Sequence, residues 1–307
     1  MATFAKSTYN SAIYAAFRPT YPRRLFDAVM QFHAANSKPG WDRAVDLGCG
    51  TGQATVELLH DGKRLGFQSV MGVDPSANMV QIAKESVPEQ FKLGVEFRQS
   101  SAEDLSFIQD GTVDLVTAAQ AAHWFDWGRL WPELHRILKP GGTVAFWGYS
   151  ELRLTKHPEL TPLITEYSQG TDPATSLGPH WEPGRKIVDN HLLAIGPSAE
   201  LGWTDLTRVF YTGRHHPALP APPHEETILK KTMPWGPTGF AGYLRTFSSL
   251  HRYHEAFPED LTRGDGDIAT RFLKQLMKGA GLPEGEEAEK ELVEVEWPLA
   301  LVMVRKA

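Results

Sequence analysis

Between Ala44 and Thr55 the chain reads AVDLGCGTGQAT: apolar residues fit for a buried strand, an aspartate, three glycines at spacing two, and the start of a helix. Glycine is poor material for the interior of either element, so the turn holds a backbone shape that other residues resist. Backbone amides at a strand-to-helix turn, aimed by a helix N-terminus, suit a polar or anionic ligand. The glycines are Gly48, Gly50 and Gly52, and Gln53 stands where a dinucleotide fingerprint wants its third glycine. No lysine lies in the turn, which excludes a Walker-type phosphate loop.

The segments around this turn alternate in period. PRRLFDAVMQFHAA puts Leu25, Phe26, Val29, Met30 and Phe32 on one helical face, and RAVDL is a short strand. SVMGVD, GVEFRQS, TVDLVTAAQA and TVAFWGY read as further strands. SANMVQIAKESV, with Ser76 as N-cap, and WGRLWPELHRIL, stopped by KPGG, are helices between them. Strands separated by helices of this length predict a parallel sheet covered on both faces. After Tyr149 prolines and aromatics crowd the chain, and regular strands return only with WTDLTRVFY and LVEVEWPLALVMVRKA. The stretch between, roughly 213–290, carries helical patterns and reads as an insertion.

Composition narrows the function. A formal charge of −6 over 307 residues leaves no basic footprint for nucleic acid or an anionic membrane. Cys49 is the single cysteine, so no intrachain disulfide forms, and its place in the turn suggests a small packing residue. No apolar run approaches the ~20 residues of a membrane span, and MATFAKSTYNSAIYAAFRP lacks a secretory signal's apolar stretch, so a cytoplasmic protein is expected. The twelve histidines, His215 and His216 included, show no metal-ligand spacing, and no metal is expected.

Asp74 lies 22 residues after Gly52 at the end of the next strand, where an acid accepts hydrogen bonds from ribose hydroxyls. Asp46 adds a second carboxylate beside the loop. Two acids suit a ligand carrying positive charge better than a pyrophosphate, and S-adenosylmethionine, with its ammonium and sulfonium, is such a ligand.

The motifs VDLGCGTG, GVDPSANMV, SSAEDL and LKPGGTVAFWGY, in this order, resemble those of class I S-adenosylmethionine-dependent methyltransferases over roughly residues 10–150. The resemblance implies a Rossmann-like, doubly wound, mostly parallel seven-stranded α/β sheet with a helical insertion or cap over the carboxyl ends of the strands. It implies a single domain over 1–307: an N-terminal lid and first helix at 1–40, a cofactor-binding core at 41–150, acceptor-binding insertions with a late strand at 151–290, and a C-terminal strand at 291–307. It further implies that Gly48, Cys49, Gly50 and Gly52 bind the amino-acid end of the cofactor, with Asp46 beside them. Asp74, followed by Pro75, would bind the ribose. Met79 would line the adenine pocket, Ser101, Ala102 and Glu103 would meet the adenine edge, and Gln120 would sit beneath the methionine portion.

YNSAIYAAFRPTYP, AAHWFDW, AFWGY and LGPHWEPGR are similar to the trans-aconitate methyltransferase branch found in fungi, to about residue 190 and more loosely beyond. That similarity implies a methyl ester formed on a small di- or tricarboxylic acid, the expected partner. A carboxylic acid of pKa about 4 is ionised at pH 7 and needs no base, so positioning and exclusion of water remain. Arginine's fork suits a carboxylate, and Arg18, Arg185 and Arg245 are the candidates. His123 would position the acceptor, its role as a base staying open, with Trp124, Trp147, Tyr149 and Trp181 walling the pocket. Tyr9, Tyr14, Arg18 and Tyr21 would belong to a lid over the cofactor. Three alternatives stay open: a hydroxyl or amine acceptor, a cofactor-binding regulator without catalysis, and a homodimer contact in the proline- and aromatic-rich stretches.

Overall fold

The structure, a computed structural model, describes residues 17–60, 65–197, 201–213 and 225–307. Its helices are α1 (Arg23–Ala34), α2 (Gln53–Glu57), α3 (Ala77–Ser86), α4 (Trp127–Ile137), α5 (Thr161–Gln169), α6 (Arg185–Asp189), α7 (Phe240–Leu244), α8 (Ser248–Ala256), α9 (Ile268–Gly279) and α10 (Glu286–Lys290). The strands are β1 (Arg43–Leu47), β2 (Ser69–Asp74), β3 (Val95–Gln99), β4 (Val113–Ala119), β5 (Leu138–Tyr149), β6 (Arg153–Leu154), β7 (Trp203–Tyr211), β8 (Leu229–Pro234), β9 (Leu292–Trp297) and β10 (Leu299–Lys306). Two compact units share the chain. The larger comprises Thr20–Ser150, Lys186–Ile228 and Leu299–Ala307, and the smaller comprises Glu151–Arg185 and Leu229–Pro298 with the described part of Met1–Pro19.

The larger unit is built on a seven-stranded sheet of order β3-β2-β1-β4-β5-β10-β7. The first five strands are parallel, and β10 runs antiparallel to both β5 and β7. This is the doubly wound, mostly parallel sheet expected from the sequence. Consecutive residues of β5 face opposite layers and are both buried: Trp147 packs on Phe26 of α1, and Phe146 on Trp131 of α4. That is why these strands read as continuous apolar runs. Ser76 caps α3 by accepting from the Met79 amide at 3.4 Å, and Asp126 caps α4 by accepting from the Gly128 amide at 3.1 Å. The inner face of α1 is Leu25, Phe26, Val29, Met30 and His33, with Phe32 half exposed. His33 replaces Phe32 there because its two ring nitrogens reach the Thr143 hydroxyl and the Gly40 carbonyl. The strand order reverses between β1 and β4, and at such a switch point the carboxyl ends of the strands open into a crevice.

The smaller unit holds an antiparallel sheet of order β6-β9-β8 with α5 and α7–α10. Trp297 anchors it, its indole donating to the Tyr243 hydroxyl at 2.8 Å. The stretch LVEVEWPLALVMVRKA, read as one strand, is two: Pro298 separates β9 in this sheet from β10 in the larger one. A proline has no N–H to give to a ladder, so the pairing breaks there. No described helix is long and apolar enough to cross a membrane.

Candidate active site

The crevice floor is the loop after β1. The amides of Gly48 and Cys49 both donate to the Val73 carbonyl, at 2.7 and 3.1 Å, which ties the loop to β2. Gly48, Gly50 and Gly52 all have left-handed backbones, with φ of 65°, 54° and 82°. A Cβ on Gly48 would lie 2.4 Å from that of Ala121, and one on Gly52 would lie 2.8 Å from the Phe97 ring. One on Gly50 would meet nothing within 4 Å. The outer glycines thus allow close packing, and the middle one leaves its face open for a ligand. A cavity of about 260 Å3 flanks the loop, with Thr20, Tyr21 and Phe26 among the residues opposite Thr51, Gly52 and Gln53.

Asp74, at the end of β2, accepts from the Gly50 amide through Oδ2 at 2.9 Å and from the Ser76 amide through Oδ1 at 2.8 Å. Burial raises its pKa, and these two amide bonds oppose the rise. Each oxygen keeps a further lone pair, which is what binding a ribose diol requires.

Asp46 departs from the expectation of a carboxylate facing the ligand. It is fully buried, and its oxygens accept from the hydroxyls of Thr55 at 2.7 Å and Thr117 at 2.8 Å. It therefore clamps β1, α2 and β4 from inside. Desolvation pushes its pKa from 3.8 up to about 6. The folded chain then holds a proton that the unfolded chain has released, so stability falls as pH rises between those values, by about 3 kcal/mol. Asp46→Asn removes that titration. Thermal melts should show the parent losing roughly 5–10 °C relative to the variant between pH 4 and 7. Parallel curves would show that Asp46 titrates normally.

The other cofactor candidates divide by what their side chains touch. The Cys49 thiol is buried with Val80, Ala83, Val87 and Phe97, and burial pushes its pKa up, so it packs as expected and only its backbone belongs to the loop. Pro75 follows Asp74 directly, and Met79 is buried in the first turn of α3. Ser101 is half-buried, Ala102 belongs to the core, and Glu103 accepts from the Asp126 amide at 2.9 Å. Gln120, just past β4, has φ 54° and spends its carboxamide on the Tyr149 backbone, accepting at 2.6 Å and donating at 3.0 Å. Tyr9, Tyr14, His215 and His216 lie outside the described residues.

On the acceptor side, His123 and Trp124 share the short 3-10 turn Ala122–Trp124 right after Gln120, ring centroids 5.0 Å apart. Trp147 and Tyr149, expected as pocket walls, are core instead. Trp147 is fully buried between the rings of Tyr21 and Phe26, each 5.7 Å away, and Tyr149 is 3% exposed beside Tyr21. Both point to the face of the sheet that α1 covers.

Arg18, Trp181 and Arg185 belong to the smaller unit, where they meet around Phe247. The Arg18 guanidinium lies 5.7 Å from the Phe247 ring and donates to the Thr246 carbonyl at 3.0 Å. Trp181 packs on Phe247 at 5.5 Å and donates its indole N–H to the Ser168 carbonyl, and Arg185 covers the Trp181 ring at 4.4 Å. Arg245 does not join them. Its guanidinium forks onto Asp267, the N-cap of α9, and onto Thr270, which makes it a structural group.

Sequence reasoning missed Ser150 and His191. Both are buried, with the His191 Nε2 3.5 Å from the Ser150 hydroxyl oxygen. His191 and Leu192 have φ of 52° and 57°, a conformation that costs an L-residue about 1–2 kcal/mol. They end α6 in a Schellman turn, the His191 amide donating to the Val188 carbonyl and the Leu192 amide to that of Ile187, both at 2.9 Å. Glycine is the usual sign of such a turn, and its absence hid this one.

Comparison with known proteins agrees with the sheet and loop. Residues 45–146 match the family model for a methyltransferase domain. A putative methyltransferase of Dictyostelium discoideum is 26% identical over 297 residues, 96% of this chain and 93% of that protein. A probable S-adenosylmethionine-dependent methyltransferase of Saccharomyces cerevisiae is 34% identical over 171 residues, 55% of this chain and 56% of that one. A solved structure of a putative type II methyltransferase from Anaeromyxobacter dehalogenans superimposes with a TM-score of 0.65 at 25% identity, covering 94% of this chain and 97% of its own. The sheet, with a methyltransferase domain matched over residues 45–146, gives the chain a Rossmann-like methyltransferase fold. Its cofactor is S-adenosyl-L-methionine, and its reaction class is methyl transfer.

Proposed function

We propose that this protein methylates a carboxylate oxygen of a small di- or tricarboxylic acid of the trans-aconitate kind. The observation that carries the reading is the pair of guanidiniums, Arg18 and Arg185, gathered on one aromatic patch around Phe247. Aromatic faces hold such groups in place, and a guanidinium's fork matches the geometry of a carboxylate. The cofactor supplies an electrophilic methyl on a positively charged sulfur. A carboxylate is already ionised at pH 7, so the residues of this chain have to bind, orient and keep out water, with no proton to remove. Asp74 and the glycine loop take the binding of the cofactor, the arginines hold carboxylates, and His123 helps to orient the acceptor.

Mass spectrometry of products from a panel of acids, phenols and amines tests this. A one-methyl gain on trans-aconitate or a similar acid, reversed by mild alkali, supports the ester reading. Methylation confined to phenols or amines overturns it in favour of a hydroxyl or amine acceptor, and cofactor binding without any turnover points to a regulator. His123→Ala separates the chemistries further. A carboxylate acceptor should lose less than about tenfold in kcat near pH 7, whereas an acceptor that must be deprotonated should lose about 100- to 10,000-fold.

A further inference from the structure

Among the described residues, four that are not glycine have a left-handed backbone, and three of them meet at one place. Gln120 ends β4, and His191 with Leu192 ends α6. Between them runs the end of β5, where a Cβ on Gly148 would lie 3.2 Å from the Gln120 amide oxygen and 3.5 Å from a Leu192 methyl. Unfavourable backbone persists where the surroundings hold it, and it gathers at functional sites. The fourth, Asp205, lies on β7 where the β7–β10 register shifts, away from this cluster.

What the strained turn delivers is the His191 imidazole, 4% exposed, with Nε2 3.5 Å from the Ser150 hydroxyl. Ser150 follows Tyr149, whose backbone Gln120 grips through both its N–H and its carbonyl. The hydroxyl thus stands at the carboxyl end of β5, one strand over from the switch point. A glycine at position 191 would make the same turn without cost, so the turn does not by itself account for the histidine.

We infer that His191 and Ser150 form a positioning pair for the methyl acceptor: Nε2–H donates to the Ser150 oxygen, and the Ser150 hydroxyl donates to an acceptor oxygen. The pair turns a hydroxyl, which can point three ways, into a donor fixed in one direction. No proton is transferred, so the arrangement serves an anionic acceptor without needing a base. The inference rests on the proposed methyl transfer to a small oxygen acceptor.

The test is a double-mutant cycle on Ser150→Ala and His191→Asn. Asparagine tolerates the left-handed turn, so the second variant keeps the backbone, and the first removes one atom. Each variant should raise the acceptor KM by about tenfold. Calorimetry should find cofactor affinity unchanged, and the double variant should be no worse than either single one, because the two residues act as a unit. Additive losses, losses confined to cofactor binding, or an unchanged acceptor KM would each overturn the pair. Turnover of a phenol or amine in place of an acid defeats the carboxylate reading yet leaves the cycle measurable on that acceptor. Absence of turnover on every acceptor defeats both.

Discussion

Asp74→Ala should weaken S-adenosylmethionine binding by at least about 100-fold in calorimetry while the chain stays folded by circular dichroism. Asp74 accepts from the amides of Gly50 and Ser76, fixing the loop against the cap of α3, and in the proposed site its remaining lone pairs take the ribose hydroxyls. Hydrogen bonds to a charged group contribute about 1.5–3 kcal/mol each, so two lost ribose contacts alone account for a change of this size. Asp74→Asn keeps the shape but turns an N–H toward an amide N–H, and it should fall close to alanine. Undiminished binding in the alanine variant would remove Asp74 from the cofactor site.

Arg185→Ala should raise the KM for a dicarboxylic acceptor by about 10- to 100-fold with cofactor affinity unchanged, measured by initial rates on the purified protein. Arg185→Lys should recover little, since an ammonium lacks the fork and the flat face that lies on Trp181. Arg245→Ala supplies the contrast. It removes one partner of the buried Asp267, which keeps Thr270 and His254, so about 1 kcal/mol of stability should be lost, with the acceptor KM of the protein unmoved. A KM effect at Arg245 and none at Arg185 would reverse their assignments.

The contrast between those arginines shows where sequence reasoning stops. Arg185 follows a loop-like stretch and Arg245 a helical one, and neither stretch names the partner its guanidinium meets. Only the fold brings Asp267, 22 residues on, to Arg245, and Trp181 to Arg185. Local signals were readable: the glycine loop, the Ser76 cap, and the apolar runs of a sheet buried on both sides. The same double burial misled at Trp147 and Tyr149, because in a strand covered on both faces an aromatic gives no sign of which layer it enters. Asp46 was placed rightly at the end of β1, but its two hydroxyl partners come from α2 and β4, and nothing in the adjacent sequence announces them.

Pro298 has a consequence for how the chain is made. It joins β9, which lies between β6 and β8, to β10, which lies between β5 and β7. The fifteen residues from Leu292 to Lys306 thus supply an interior strand to each of two sheets, and they follow every other described strand in the sequence. Until they arrive, β7 has no neighbour in its sheet, and β6 and β8 have none in theirs. Synthesis from the N-terminus therefore cannot complete one unit before the other, and among the described strands four edges, on β5, β6, β7 and β8, stay unpaired until this stretch emerges and closes both sheets.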